Sequence, residues 1–211
     1  MTVTKRKVSN PLALAVLALL TERSMHPYEM ASTLRARAKE ESIKLNYGSL
    51  YSVVESLQKH GLIEAIETLK EGRRPERTIY GITEPGRTEF ADWLSELISV
   101  PVKEYTRFEA ALSLLAGLPP DEVLGLLQLR AHRLTMEISA GESALARSAE
   151  QGLPRLFSIE FEYRITQARA ELTFVEALID EVADGRMEGY EFWRRVHESG
   201  EFPSNADIFG R

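Results

Sequence analysis

Apolar side chains recur every three to four residues in the first part of the chain, which is the period of one face of an α-helix. The pattern predicts a mostly buried first helix that starts at Pro11 and ends before Arg23. A second amphipathic helix is predicted for residues 28–38, because Met30, Ala31 and Leu34 share one face. The second helix can therefore pack on the first.

A third helix is predicted from about Tyr47 to His60, with its ends marked by the residues around it. Asn46 is a favourable N-cap, and Gly61 is a favourable residue just beyond the C-terminus. An inner stripe is formed by Leu50, Val53 or Val54, and Leu57. The outer face carries only small or polar residues, namely Gly48, Ser49, Ser52, Glu55, Ser56 and Lys59.

Two short segments rich in β-branched and aromatic residues follow, at residues 62–69 and 78–82. A polar loop that contains Gly72 and Pro75 separates them, which predicts a β-hairpin with a long, charged tip. A fourth helix is then predicted to start in the run Thr83 to Gly86, to use Phe90, Trp93, Leu94 and Leu97 as its apolar residues, and to end before Pro101.

The rest of the chain has a helical pattern almost throughout. Helices are predicted over residues 104–117, 121–149 and 159–182, with a last short helix around residues 190–196. The two long helices are joined by a short link, so they should lie antiparallel. Their apolar surface exceeds what one helical hairpin can bury, which predicts a partner, most simply a second copy of the chain.

These elements predict a mainly α protein of two domains. Residues 1–100 would form a winged helix-turn-helix with a small β-hairpin wing, and residues 101–211 an antiparallel, coiled-coil-like helical dimerisation domain. A chain of 211 residues with 44% hydrophobic and 27% charged residues is long enough for such cores. The absence of cysteine and of an apolar run of membrane-spanning length makes the cytoplasm the expected location.

The net charge of −6 is unfavourable for binding an anionic polymer, but the charge is unevenly distributed. Residues 1–88 carry +4 and residues 89–211 carry −10. A basic front and an acidic rear would orient the protein on DNA.

The small, polar face of the third helix is typical of a helix that enters the major groove, because small residues permit a close approach of the backbone. Lysines flank this helix, and arginines on the hairpin would reach the adjacent backbone or minor groove. The candidate DNA-contacting residues are Lys44, Asn46, Tyr47, Gly48, Ser49, Tyr51, Ser52, Lys59, Arg73, Arg74 and Arg77. Two copies related by a twofold axis would require an inverted repeat with half-sites about one helical turn apart, or a multiple of it.

Four runs of residues, taken in order, resemble the PadR-like transcriptional regulators: residues 17–20, 26–30, 47–51 with Leu57 and 61–63, and 80–87. The resemblance covers roughly residues 9–90, and the helical remainder is similar in length and pattern to members with a virulence-activator-type C-terminus. Tyr47 departs from the pattern, since many members have Pro there. The resemblance implies a homodimeric winged helix-turn-helix regulator, often a repressor released by a small molecule.

Other functions receive less support from the sequence. The four histidines are scattered without a metal-ligand spacing, and no phosphate-binding loop or nucleophile elbow occurs, so neither an enzyme nor a cofactor is expected. Aromatic residues that include Trp93, Tyr105 and Phe108 would either line a cavity for an apolar or aromatic effector where the domains meet, or pack in the core or dimer interface. The alternative function is a helical interaction protein whose winged module binds another protein.

Overall fold

The first helix, α1 (Pro11–Glu22), lies at the centre of the N-terminal core of the computed structural model. The Oδ1 atom of Asn10 caps it by accepting the Leu12 backbone N–H at 2.9 Å. Both faces of α1 are covered, as its seven buried residues show: Leu12, Ala13, Ala15, Val16, Leu17, Leu19 and Leu20. The structure describes Arg6, residues 8–69 and residues 77–200, and the chain divides into two units between Lys103 and Glu104.

Helices α2 (Pro27–Ala36) and α3 (Tyr47–Lys59) form the helix-turn-helix and pack on one another. Helix α2 ends two residues before the predicted limit, because Ala38 adopts a left-handed conformation with φ 53°. A short 3₁₀ turn, Lys39–Glu41, then leads towards α3. Helix α3 matches its predicted limits closely, with Asn46 as its N-cap.

The strands β1 (Ile63–Leu69) and β2 (Arg77–Ile82) form the antiparallel hairpin expected of a wing. Gly61 connects α3 to this hairpin with φ 72°, which any other residue would adopt only with strain. Met25, in the turn between α1 and α2, exchanges two 3.0 Å backbone hydrogen bonds with Tyr80 of β2. The root of the wing is therefore hydrogen-bonded to the helix-turn-helix.

Helix α4 (Glu84–Ser99) begins where Thr83 accepts the Gly86 backbone N–H on its hydroxyl. Only part of the predicted apolar stripe of α4 is buried within this unit. Trp93 is buried, whereas Leu94 and Leu97 are exposed.

The predicted helix over residues 104–117 is wrong in extent. The structure has a short helix, α5 (Arg107–Leu112), followed by a 3₁₀ turn, Leu115–Gly117. The hydroxyl of Thr106 caps α5 by accepting the Glu109 N–H at 3.2 Å, so the helix starts three residues later than predicted. The apolar spacing alone did not reveal this start.

Within the described residues, the C-terminal unit continues with the helices α6 (Pro120–Glu150), α7 (Ile159–Ala183) and α8 (Tyr190–Ser199). Helices α6 and α7 pack antiparallel, and the ion pairs Arg130–Glu171 and Arg169–Glu142 cross between them. Trp193 of α8 donates its indole N–H to the carbonyl oxygen of Leu118 at 2.8 Å. The prediction of a mainly helical fold, with a hairpin wing and a helical C-terminal unit, is confirmed. Among the described helices, none combines the length and apolar character needed to cross a membrane.

Candidate nucleic-acid interface

Helix α3 presents two stripes of very different chemistry. The inner stripe of Leu50, Val53, Val54 and Leu57 is buried in the core of the N-terminal unit. On the outside, Gly48, Ser52 and Glu55 are exposed, and Ser49 is half-buried. Because the inner stripe is packed in the core, the helix is held in place and the outer stripe has a defined position.

The N-terminus of α3 is fixed by its own cap. Asn46 Oδ1 accepts the backbone N–H of Ser49 at 2.7 Å, and the hydroxyl of Ser52 donates to the carbonyl oxygen of Gly48 at 3.1 Å. The structure thus brings together the predicted residues Asn46, Tyr47, Gly48, Ser49, Tyr51 and Ser52 on the first two turns of one helix.

Three tyrosines are exposed at the start of the two helices. Tyr47 and Tyr51 of α3 are 41% and 46% exposed, and Tyr28 of α2 is 63% exposed. The rings of Tyr28 and Tyr47 are stacked, with their centroids 6.3 Å apart and an angle of 13° between their planes. Sequence reasoning missed Tyr28. The signal that could have revealed it is that Tyr28 and Tyr47 both lie in the first turn of their helices.

Arg35 of α2 was also missed, although it contacts a predicted site residue. Its guanidinium donates a 2.6 Å hydrogen bond to the Tyr47 hydroxyl and lies 4.5 Å from the centroid of that ring. This hydrogen bond is the main cause of the raised pKa of the Arg35 guanidinium. Glu40 also approaches Arg35, at 3.4 Å. The amphipathic pattern assigned Arg35 to an outer face but could not place it beside α3.

The predicted basic residues that the structure describes lie on more than one element. Lys44 is exposed just before α3, and Lys59 is exposed at its last residue, about 18 Å from Tyr47 along the helix. Arg77 begins β2, and its side chain is not among those described. Arg73 and Arg74 lie outside the described residues.

The three candidate effector residues occupy different surroundings. Trp93 is buried in the core of the N-terminal unit, whereas Tyr105, in the C-terminal unit, is 85% exposed. Phe108 lines a cavity of about 410 Å³ in the C-terminal unit, together with Ala111, Leu114, Leu115, Leu118, Val123, Leu126, Leu127, Leu129, Arg130, Arg133, Leu134 and Glu137. The Arg130 guanidinium lies 3.6 Å from the centroid of the Phe108 ring.

A helix-turn-helix whose second helix leads into an antiparallel hairpin defines the N-terminal unit as a winged helix-turn-helix. Residues 16–92, which span this module, match the Transcriptional regulator PadR-like family. This segment, about a third of the chain, is similar to the PadR-like transcriptional regulators. No curated protein is similar to the chain in sequence.

Solved structures share the fold over most of the chain. Bacillus subtilis PadR in complex with operator DNA has a TM-score of 0.64 at 17% identity, covering 82% of this chain and 99% of that one. PadR in complex with p-coumaric acid has a TM-score of 0.64 at 14% identity, covering 82% and 98%. The Vibrio cholerae virulence activator AphA has a TM-score of 0.61 at 15% identity, again covering 82% and 98%. The fold therefore extends beyond the segment that the family model matches.

Proposed function

We propose that this regulator binds DNA sequence-specifically, with the outer face of α3 in the major groove. The observation that carries the proposal is the exposed, small and hydroxyl-bearing surface on the first turns of α3, held rigid by the buried inner stripe. The major groove admits one α-helix, and hydroxyl groups can donate to or accept from base edges. The winged fold shared with PadR bound to operator DNA supports this assignment.

Affinity would come mainly from residues around α3 rather than from its outer face. Between Tyr47 and Gln58 this helix carries Glu55 and no Lys or Arg. Lys44 and Lys59 flank it, and the wing contributes Arg73, Arg74 and Arg77. Contacts of these cations with phosphates would supply the sequence-independent part of binding.

The protein would act as a homodimer assembled through its C-terminal unit. Large apolar side chains of that unit are exposed in the single chain, among them Leu114, Leu126, Leu129, Met136 and Phe174. A surface of this kind marks an interaction site, and the simplest partner is a second copy related by a twofold axis. The matching operator is an inverted repeat with half-sites one helical turn, or a multiple of it, apart.

We further propose that the dimer is a repressor released by a small apolar or aromatic molecule. The cavity beside Phe108 is lined mainly by leucines, with Arg130, Arg133 and Glu137 as its charged residues, a composition typical of ligand sites. Since PadR has been crystallised with p-coumaric acid, that acid is a sensible first probe.

Selection of bound duplexes from a random pool tests the central proposal. Enrichment of an inverted repeat, and steep loss of binding as salt rises, would support a dimer with phosphate contacts. Absence of any enriched sequence, together with absence of binding at low salt, would favour the alternative in which the winged module binds a protein. Light scattering measures the mass of the free protein in solution and so tests whether it is a dimer. Addition of p-coumaric acid to the complex with the selected duplex tests whether a small molecule releases the DNA.

A further inference from the structure

In the stacked pair Tyr28 and Tyr47, the Tyr47 hydroxyl can act towards a ligand as a hydrogen-bond donor. A tyrosine hydroxyl has one hydrogen to donate and lone pairs that accept. In Tyr47 the guanidinium of Arg35 already occupies an acceptor position, at 2.6 Å. A guanidinium has no acceptor, so the hydroxyl hydrogen of Tyr47 cannot be used by Arg35 and remains available to another group.

Arg35 is itself held in place from two sides. It lies against the face of the Tyr47 ring, with 4.5 Å between its central carbon and the ring centroid, and Glu40 approaches its Nε at 3.4 Å. The ring of Tyr28 stacks on the ring of Tyr47, which limits the positions that the phenol can adopt. Tyr47 is thus oriented by two neighbours from α2 before any ligand arrives.

The chemistry of this cluster matches a phosphate better than a base. A phosphate offers acceptors only, whereas every base pair presents both acceptors and a donor at its major-groove edge. The cluster offers the Tyr47 hydroxyl as a donor beside the cationic Arg35. Tyr47 is also the first residue of α3, at the end of the outer face rather than in its middle.

We propose that Arg35 is a positioning residue that holds the Tyr47 phenol as a hydrogen-bond donor to one backbone phosphate of bound DNA, with Tyr28 supporting the phenol ring. This inference rests on the proposed DNA-binding function. It gives Arg35 and Tyr28 an indirect role in DNA binding. Both residues orient Tyr47, and neither contacts a base itself.

The test compares Tyr47→Phe, Arg35→Met and the double variant on the selected duplex and on an unrelated one. Tyr47→Phe should weaken binding to both duplexes about tenfold, because the contact ignores sequence and involves a charged acceptor. Arg35→Met should give a similar loss, and the double variant should lose no more than either single variant. The dependence on salt should stay unchanged in Tyr47→Phe, since the phenol is uncharged.

Rescue by a conservative change and a matched control complete the design. Arg35→Lys can still donate to the Tyr47 hydroxyl, so it should bind DNA more tightly than Arg35→Met does. In a chain that also carries Tyr47→Phe, Lys and Met at position 35 should give the same affinity. Tyr163→Phe removes an exposed hydroxyl from the C-terminal unit and should leave DNA affinity unchanged. Replacing phosphates singly by methylphosphonates should reveal one position in each half-site at which wild type loses affinity and Tyr47→Phe does not.

Several results would overturn the inference. Single-variant losses that multiply in the double variant would show that Arg35 acts independently of Tyr47. A loss confined to the selected duplex would indicate a base contact. If wild type binds duplexes but Tyr47→Phe binds equally well, this inference alone fails, whereas failure of wild type to bind any duplex contradicts the proposed function itself.

Discussion

The guanidinium of Arg6 lies over the indole ring of Trp93, with 5.6 Å between its central carbon and the ring centroid. The same group donates to Glu89 at 2.6 Å and to Glu96 at 2.5 Å. Only 8% of the Arg6 side chain is exposed. Arg6, in the segment that precedes α1, is therefore fixed to α4 by charge, hydrogen bonds and ring contact together.

Removal of this arginine should destabilise the N-terminal unit. Arg6→Ala removes the hydrogen bonds to Glu89 and Glu96 together with the contact on the Trp93 ring, and we expect a loss of about 1–3 kcal/mol in the free energy of unfolding. Urea denaturation followed by circular dichroism measures it. The control is Arg186→Ala, whose pair with Asp184 is more than half exposed on both sides and should matter little. Equal effects of the two substitutions would contradict the argument.

Acidification should weaken the ion pair between Glu22 of α1 and Arg37, the residue that follows α2. Glu22 accepts two hydrogen bonds from Arg37, at 2.6 and 2.8 Å, and these lower its pKa from the ordinary value of 4.5. A lowered pKa in the folded state means that the stabilisation is present above pH 4.5 and is lost as the pH falls through the folded pKa. Because both side chains are 46% exposed, the effect should stay below about 1 kcal/mol.

The measurement is the unfolding free energy as a function of pH for wild type and Glu22→Gln. The variant should be less stable than wild type at neutral pH, and the two curves should converge at low pH. A difference that is constant across the pH range would rule out the ionised pair as its source.

Two glycines should respond differently to the same substitution by alanine. A Cβ atom at Gly86 would lie 2.0 Å from the Leu62 carbonyl oxygen, whereas one at Gly125 would meet nothing within 4 Å. Gly86→Ala should therefore lower the melting temperature strongly, because backbone atoms must move. Gly125→Ala, in α6, should be neutral or raise stability by up to about 1 kcal/mol, because alanine favours helix. Thermal unfolding of both variants compares them, and a stable Gly86→Ala would contradict the contact.

The cap of α3 allows folding and DNA binding to be separated. Asn46→Ala removes the acceptor for the Ser49 N–H and should cost about 1 kcal/mol of stability. Asn46→Asp retains that acceptor, so stability should be kept, but its negative charge beside the outer face of α3 should weaken DNA binding. Thermal unfolding and DNA titration on the two variants measure the two effects. Undiminished DNA affinity in Asn46→Asp would place the DNA away from this turn.

Local signals account for what the sequence predicted well. Asn46 and Thr83 cap their helices as expected, and Gly61 ends the region of α3 in the left-handed conformation, so these limits were predictable from single residues. The inner stripe of α3 followed from its spacing. The fold class and the similarity to PadR-like regulators were predictable for the same reason, since the motifs occur in order along the chain.

Features that depend on distant neighbours were not predictable. The stacking of Tyr28 on Tyr47, and the contact of Arg35 with the same phenol, join residues of two helices whose crossing is set by the core. Leu94 and Leu97 fit a helical stripe, yet both are exposed in this unit. Periodicity shows that a face is apolar, but it does not show what covers that face.

The division of α3 into two stripes has an evolutionary consequence. Since Leu50 and Leu57 anchor the helix and Gly48, Ser49 and Ser52 do not contribute to the core, substitutions at the outer positions leave folding intact. After gene duplication, a copy could acquire a different target site by exchanging a few outward side chains. A library randomised at those three positions should accordingly be rich in folded proteins with new preferences.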